Sequence, residues 1–290
     1  MTRTPRSFTL TPATAAPLRK DPGAHKYAHG HALILSGGLG RSGAARLAAR
    51  AALRIGAGLV TLVVPDAAIP EVASQITALM LRPLGPPDGG GAALRDLLTD
   101  RRISALCLGP GLGLSAREAE LVDMALRDGR PCVLDADALT LLAQDEALRR
   151  KLHATCVLTP HEGEFARLCP DLAKGLDQPE ARAAAVQAAA ARLGAMVVLK
   201  GPATLVAGPD GRASIHPAAQ DGSRAWLATA GSGDVLAGLV TGLLARALPP
   251  HQAADLAVAL HAAAAARFGP GLIAEDLPDT LPAVLRDLAV

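Results

Sequence analysis

Residues 105–138 read ALCLGPGLGLSAREAELVDMALRDGRPCVLDADA. The stretch contains an apolar run, a glycine-rich turn, a segment of helix length and a second apolar run. Short apolar runs bounded by turn residues are typical of parallel strands that are buried on both faces. Ser115 and Glu118 have the spacing of a capping box, which predicts that the intervening helix begins there. The stretch therefore predicts a strand–helix–strand unit of an α/β fold.

The same pattern recurs along the chain. Further apolar runs, each followed by small or polar residues, predict strands at Ala32–Leu35, Leu59–Val64, Cys156–Leu158 and Met196–Leu199, with shorter β-like runs near Thr204–Ala207 and Ala213–His216. Helices are predicted at Gly43–Ile55, Ser115–Arg127, Pro179–Leu193, Gly233–Ala247 and Pro250–Phe268, and a second capping box predicts a helix start at Thr159. These elements predict one α/β domain over residues 25–290, with a mostly parallel central sheet and helices on both faces. Residues 1–24, rich in Arg, Thr and Pro, predict a flexible N-terminal tail.

Composition excludes several classes of partner. The 29 basic and 27 acidic residues give a net charge of +2, and aromatic residues make up 2% of the chain, so no nucleic-acid surface is expected. The longest apolar run, Val235–Ala245, is too short to span a bilayer, so no membrane partner is expected. The four cysteines form no C-x-x-C pair, which favours a reducing cytoplasm over a disulfide framework.

The turn Gly231-Ser232-Gly233-Asp234 precedes a long apolar helix. The first backbone N–H groups of a helix are unpaired and carry the positive end of its dipole, so a phosphate can bind there. A carboxylate at that place is suited to accept a proton from a reacting hydroxyl. The alternative is structural, because an Asp in a first turn also stabilises the helix dipole without any chemistry. The turn predicts an anion site and a base, or a stabilised helix start.

Other motifs allow more than one interpretation. Residues 38–43 match G-x-G-x-x-G, but Asp66 lies 28 residues after Gly38 (66 − 38), later than the roughly 20 of a dinucleotide site, so a contact with a different small molecule and a purely structural turn stay open as well. Lys200, at a strand end, suits a phosphate but could equally be solvated. His161, in a first helical turn, could bind a ligand or face solvent. The histidines at 25, 29 and 31 lack Cys or carboxylate partners at zinc-ligand spacing.

The motifs taken in order resemble one family, the ADP-dependent NAD(P)H-hydrate dehydratases of ribokinase-like fold. The resemblance rests on His25-Lys26-Tyr27-x-His29-Gly30, Ser42-Gly43-Ala44-Ala45, Gly109-Pro110-Gly111-Leu112-Gly113, Leu134-Asp135-Ala136-Asp137-Ala138-Leu139, Thr159-Pro160-His161-Glu162-Gly163-Glu164-Phe165, Lys200-Gly201-x-x-Thr204 and Gly231-Ser232-Gly233-Asp234. It covers residues from about 25 to the C-terminus and implies a three-layer α/β/α architecture.

The resemblance also implies an activity. The family removes water from NADH or NADPH hydrated at C6 and consumes ADP, releasing AMP, phosphate and the intact cofactor. By similarity, the hydrated cofactor contacts Ala44, Gly111 or Gly113, and His161, while Asp234 faces its hydroxyl as the catalytic residue. The nucleotide is bound by Lys200, Gly201, Pro202, Ala203, Thr204, Gly231, Ser232 and Gly233. Mg²⁺ and a homotetramer are expected. Some relatives carry a fused epimerase domain, and with 290 residues we expect a separate epimerase instead.

One departure from the family pattern lies in the loop before the glycine turn. Many relatives have an Asn shortly before the Leu-Ala that precedes the glycine turn, whereas this chain has Arg224-Ala225-Trp226. Two alternative functions stay open. A kinase of a small vitamin-precursor alcohol on the same fold would use the same anion site and base, and a nucleotide sensor would need no Asp234.

Overall fold

The computed structural model describes residues 4–86, 91–218, 222 and 224–290. The strands within these residues are β1 (Arg6–Ser7), β2 (His31–Leu35), β3 (Leu59–Val64), β4 (Met80–Pro83), β5 (Ala105–Leu108), β6 (Cys132–Leu134), β7 (Cys156–Leu158), β8 (Met196–Leu199), β9 (Thr204–Ala207) and β10 (Ala213–His216). The α-helices are α1 (Gly43–Arg54), α2 (Ile69–Ala73), α3 (Ala92–Leu98), α4 (Ala116–Asp128), α5 (Ala136–Gln144), α6 (Glu146–Arg149), α7 (Glu162–Leu168), α8 (Pro179–Leu193), α9 (Ser232–Ala245), α10 (Pro250–Phe268) and α11 (Asp276–Asp287).

All the strands belong to one sheet, in the order β1-β10-β9-β8-β7-β6-β5-β2-β3-β4. The strands from β4 to β8 pair in parallel, β9 pairs antiparallel with both β8 and β10, and β1 pairs in parallel with β10. The mostly parallel sheet predicted from the short apolar runs is thus confirmed. The order reverses between β2 and β5, because β2 pairs with β3 on one side and with β5 on the other.

Each face of the sheet carries its own hydrophobic core. Ile34 of β2 packs in the core formed with α1, α9, α10 and α11, whereas its neighbours Leu33 and Leu35 pack in the core formed with α3, α4, α5, α7 and α8. Side chains alternate between the faces of a strand, so a strand buried on both sides reads as an uninterrupted apolar run. This arrangement is the three-layer α/β/α architecture that the sequence predicted.

Helices α1 and α9 pack closely because glycines of one face alanines of the other. A Cβ built on Gly238 would overlap the backbone of Ala48, and one built on Gly242 would lie 2.7 Å from the carbonyl oxygen of Ala52. Glycine therefore lets the two backbones approach where any side chain would separate them. The contact fixes α9, and with it the turn that precedes this helix.

The N-terminal segment differs from the predicted flexible tail. Within residues 4–24, β1 pairs with β10, and Ala15 and Leu18 are buried in the core beside α1 and α11. Three carbonyls of residues 17–19 lie 2.7–3.5 Å from Arg246 Nη2. The buried side chains of Ala15 and Leu18 and the backbone hydrogen bonds attach the segment to the domain.

The helix after β7 begins later than predicted. Thr159 does not cap it, because its hydroxyl donates to Asp135 over 2.8 Å. The helix begins at Glu162, and the N-cap is His161, which forms a capping box with Glu164. The box at Ser115 and Glu118 is present as predicted. The sequence did not predict strands β1 and β4 or helices α2, α3, α5, α6 and α11, most of which are short.

Candidate active site

The polar loops named in the sequence analysis meet at the carboxyl edge of the parallel strands. Ligands bind at this edge in α/β sheets, at the point where the strand order reverses. Here that point lies between β2 and β5, and the loops that follow these strands touch: a Cβ built on Gly37 would overlap the carbonyl oxygen of Gly111. The turns that follow β6, β7 and β8 continue along the same edge and supply Asp135, His161 and Lys200.

The predicted substrate residues after β2 and β5 lie together. Gly111, with φ of 64°, packs against α1: a built Cβ would lie 2.6 Å from the carbonyl oxygen of Arg41 and 3.5 Å from the Cβ of Ala44. The backbone N–H of Gly113 donates to Asp137 over 2.8 Å, and Arg41 pairs with the same carboxylate at 3.2 Å. Ala44, Gly111 and Gly113 therefore lie close together at this edge of the sheet, and their contact with the substrate stays a prediction.

The G-x-G-x-x-G segment has a different environment from a dinucleotide site. The backbone N–H of Gly40 donates to Glu71 over 2.7 Å, and the Ser42 hydroxyl donates to the other oxygen of that carboxylate. The hydrogen bond from Ser42, together with that from Gly40, lowers the pKa of Glu71. The protein's own anion thus occupies the donors that a pyrophosphate would need, which disfavours the dinucleotide interpretation of this loop.

Lys200 is the cation at the centre of a group of carboxylates. Its Nζ lies 3.0 Å from Asp135 Oδ1 and 3.8 Å from Glu164 Oε2, and both carboxylates are almost completely buried. Burial lowers the pKa of Lys200, but the attraction of the two carboxylates outweighs it and raises the pKa above its ordinary value. The side chain is therefore charged and held in place, unlike the freely solvated lysine that was one of the two interpretations.

Asp234 lies next to this group, on the first turn of α9. Burial and, after it, the negative charge of Asp135 raise the pKa of Asp234 to about 7, although the charge of Lys200 opposes the rise. Among the described residues, none donates a hydrogen bond to the Asp234 carboxylate. A carboxylate with a pKa close to neutral pH and a free lone pair is suited to exchange protons with a ligand. These features favour the base over the helix-stabilising interpretation.

The glycine turn is held open towards the cavity. Gly231 is the N-cap of α9 with φ of 87°, a left-handed conformation that favours glycine. From α10, His261 Nε2 lies 2.9 Å from the carbonyl oxygen of Ser232 and 3.2 Å from its hydroxyl. Burial lowers the pKa of His261 to about 4, so its ring is neutral and can donate one hydrogen bond. His261 thereby positions the turn without adding charge.

His161 serves as a helix cap at the rim of the site. Its Nδ1 accepts from the backbone N–H of Gly163 over 3.0 Å, and its backbone N–H donates to Glu164 over 2.8 Å. About half of its side chain is exposed, and it borders the cavity described next. The cap and a ligand contact are compatible, because the two use different parts of the residue. Its contact with the substrate stays a prediction.

A cavity of about 650 Å³ opens beside the glycine turn. Six of the eight predicted nucleotide residues line it, namely Lys200, Gly201, Pro202, Thr204, Ser232 and Gly233, whereas Ala203 and Gly231 lie next to lining residues in the chain. Apolar side chains from α9, α10 and the loop before α9 form much of the remaining wall, among them Leu227, Leu236, Val258 and Ala262. A mostly apolar cavity with a few converging polar groups is typical of a small-molecule site.

Several residues of the site escaped the sequence analysis as individual predictions. Glu164 and Asp135 pair with Lys200, and His261 supports Ser232. Arg182 of α8 donates to the carbonyl oxygen of Lys200 over 3.1 Å and pairs with Glu162. Asp135 and Glu164 lie inside motifs that the sequence analysis singled out, so those motifs could have indicated them. Arg182 and His261 lie in Ala-rich helices, where no local pattern distinguishes them.

Comparison with known proteins agrees with this geometry. A profile of the NAD(P)H-hydrate dehydratase family matches residues 32–283. The chain belongs to the NAD(P)H-hydrate dehydratase family. It is 40% identical over 281 residues to the bifunctional NAD(P)H-hydrate repair enzyme of Moorella thermoacetica, an alignment that covers 93% of this chain and 52% of that protein. The chain thus spans about half the length of the curated relatives it matches.

Two solved structures have a similar fold. The ADP/ATP-dependent NAD(P)H-hydrate dehydratase from Bacillus subtilis, co-crystallised with ATP and Mg²⁺, is 28% identical, with a TM-score of 0.79 and coverage of 98% of each chain. A ribokinase-like superfamily protein from Enterococcus faecalis gives a TM-score of 0.80 at 22% identity and covers 98% of this chain and 96% of its own. The second similarity shows the fold alone. The predicted ribokinase-like fold is confirmed.

The described residues contain neither a membrane-spanning helix nor a metal site made of protein ligands alone. No helix in residues 4–86, 91–218 or 224–290 is long and apolar enough to cross a membrane. Within the same ranges, no three His, Cys, Asp or Glu side chains are grouped so that they could hold a metal ion by themselves.

Proposed function

We propose that this protein repairs nicotinamide cofactors: it dehydrates the C6-hydrated forms of NADH and NADPH and consumes ADP. The observation that carries the proposal is Asp234, a carboxylate with a pKa of about 7 beside a helix N-terminus and a charged lysine. Family membership supports the reaction, and the apolar cavity beside Gly233 supports a nucleotide as the second substrate.

The proposed chemistry begins at the hydroxyl of the hydrated ring. Hydroxide is a poor leaving group, and transfer of the terminal phosphoryl group of ADP to this oxygen converts it into phosphate. Asp234 accepts the hydroxyl proton as the new P–O bond forms and the bond to AMP breaks. The electron pair of the ring nitrogen then expels phosphate from C6, and loss of a proton from the neighbouring ring carbon restores the double bond, which yields NAD(P)H, AMP and phosphate.

The remaining residues stabilise the charge that develops on phosphorus. Helix α9 begins with the backbone amides of Ser232 and Gly233. A Cβ built on Gly233 would lie 3.2 Å from Lys200 Nζ. Lys200 therefore reaches the space in front of the helix N-terminus, where dipole and ammonium act on the same anion. Asp135 and Glu164 hold Lys200 in that position before the nucleotide arrives.

Mg²⁺ fits this site as a companion of the nucleotide. Mg²⁺ commonly keeps several waters and binds one or two carboxylates together with substrate phosphates, so it does not require three protein ligands. The carboxylates available for this are Asp135, Glu164 and Asp234. When bound, the ion would neutralise charge on the transferring phosphoryl group. We further propose a cytoplasmic homotetramer that acts with a separate epimerase, a proposal that rests on the family resemblance.

The test is a coupled assay with hydrated NADH, ADP and Mg²⁺. We expect the absorbance of reduced nicotinamide to return, with AMP and phosphate released in equal amounts. ADP should support turnover better than ATP. This expectation rests on the resemblance alone, because no residue in the segment 200–204 distinguishes a diphosphate from a triphosphate. Phosphorylation of a vitamin-precursor alcohol without return of NADH would instead favour the kinase.

A further inference from the structure

A buried histidine at the apolar part of the cavity has no role in the proposed reaction. His216 ends β10 and lies in register with Thr204, which begins β9 after the Lys200 loop. It borders the cavity, yet only 4% of its surface is exposed. Its ring packs against Phe8, with 5.2 Å between the ring centroids. The side chain is thus fixed in one orientation at the wall of the cavity.

The partner of His216 is a carboxylate on α10. His216 Nε2 lies 3.0 Å from Asp255 Oδ1, and the Ser214 hydroxyl donates to the same oxygen. Asp255 also precedes Val258 and Ala262 at helical spacings of three and seven residues, so the three share one face of α10. Val258 and Ala262 form part of the apolar wall. His216 therefore borders the part of the cavity that suits a flat, weakly polar ring, and Asp255 contacts it from α10.

The contact with Asp255 sets the hydrogen-bonding character of the histidine. An ionised carboxylate only accepts hydrogen bonds, so Nε2 carries a hydrogen and donates it. In the neutral ring the other nitrogen, Nδ1, then has a lone pair and can only accept. A ligand that meets His216 at Nδ1 must therefore offer a donor.

We propose that His216, oriented by Asp255, is the residue that selects adenine as the base of the nucleotide. The 6-amino group of adenine is a hydrogen-bond donor, whereas hypoxanthine and guanine carry a carbonyl oxygen at that position. Two acceptors facing each other repel, and each lacks a partner in a site that excludes water. This inference rests on the proposed function, because it assumes that the cavity holds a nucleoside diphosphate.

The test compares ADP with inosine diphosphate, whose base has a carbonyl oxygen at position 6 and a hydrogen on N1 but lacks the extra amino group of guanine. Binding to the intact chain is measured by calorimetry and by the fluorescence of Trp226, the single tryptophan, which lies between the lining residues Ala225 and Leu227. We expect ADP to bind about 5- to 100-fold more tightly, the range for a buried polar group left without a partner.

Three variants test whether the preference for ADP over inosine diphosphate depends on His216 and Asp255. His216→Phe keeps an aromatic ring against Phe8 but has no nitrogen, so the ratio of the two affinities should fall to near one. Asp255→Asn supplies an amide that can donate to Nε2 and move the ring hydrogen to Nδ1, so the ratio should fall or invert. Ser214→Ala removes another contact of Asp255 and should keep the ratio.

The possible results distinguish a failure of the His216 assignment from a failure of the proposed function. Equal binding of ADP and inosine diphosphate to the unaltered protein, or an unchanged ratio in His216→Phe, would overturn the assignment while the repair activity stands. If neither nucleotide binds, the proposed function fails and this inference with it. If His216→Phe does not fold, N6,N6-dimethyl-ADP on the unaltered protein replaces it: loss of the donor should weaken binding, and unchanged affinity would contradict us.

Discussion

Replacement of Asp234 by Asn separates catalysis from stability in one variant. The substitution keeps the shape of the side chain and removes its charge. If Asp234 accepts the hydroxyl proton, turnover should fall by roughly 10²–10⁴, the usual contribution of a general base. Binding of ADP should persist or become tighter, because a negative charge near the phosphates is gone.

The same variant should be more stable than the unaltered protein, by an amount that depends on pH. The pKa of Asp234 is about 7 in the fold, against about 3.9 for an unperturbed Asp. The folded state therefore binds more protons than the unfolded state between about pH 4 and pH 7, and the stability of the unaltered protein falls as pH rises through this window. Three pKa units correspond to at most about 4 kcal/mol at pH 7 and above, and to about 1.5 kcal/mol at pH 5.

Urea unfolding of both proteins at pH 4, 5 and 8 measures this difference directly. The gain in Asp234→Asn should be small at pH 4 and largest at pH 8, and other titrating groups cancel in the comparison. Asp96→Asn, which removes an exposed carboxylate on α3, is the matched control and should change neither quantity. A folded Asp234→Asn protein with near-normal dehydration, or with the same stability as the parent at every pH, would refute the reasoning.

Two further substitutions test the surroundings of Asp234. Lys200→Met should weaken ADP binding more than binding of the hydrated cofactor. It should also shift the acid limb of the pH profile of kcat/KM to higher pH, because the Lys200 charge lowers the pKa of Asp234. The pH–rate profiles of this variant and of the control Lys174→Met, at an exposed lysine, check this shift, and an acid limb that does not move would contradict it. Gly238→Ala should destabilise the fold by about 1–3 kcal/mol, the usual effect of overpacking, because its methyl group would meet the backbone of Ala48; denaturant unfolding measures this, and an unchanged midpoint would show that α1 and α9 can move apart.

The sequence carried most of the information about the sheet. Strands buried on both faces leave uninterrupted apolar runs, and all six predicted parallel strands are present. The hairpin strands β9 and β10 were also predicted. In contrast, β1 is two residues long and exposed, so it leaves no apolar run. Helix α11 was missed although Leu277, Leu281 and Val284 recur at helical spacing, because Pro282 interrupts the segment. The helix start at Thr159 was wrong because two capping patterns overlapped there and a contact with Asp135 decided between them.

The motifs of the active site were likewise visible in the sequence, since glycine turns and their polar neighbours are local features. Gly231, Lys200 and Asp234 could be named as residue types suited to bind or react with phosphate. Their protonation states could not be predicted, because a pKa depends on burial and on charges that are distant in the chain. Asp135 and Glu164 approach Lys200 from the ends of two other strands, and His216 meets its partner Asp255 on a helix, 39 residues further along the chain. The sequence by itself determined which groups are present, and only the tertiary structure decided which of them are charged, paired or free, because electrostatic energies depend on distance in space and on exclusion of water.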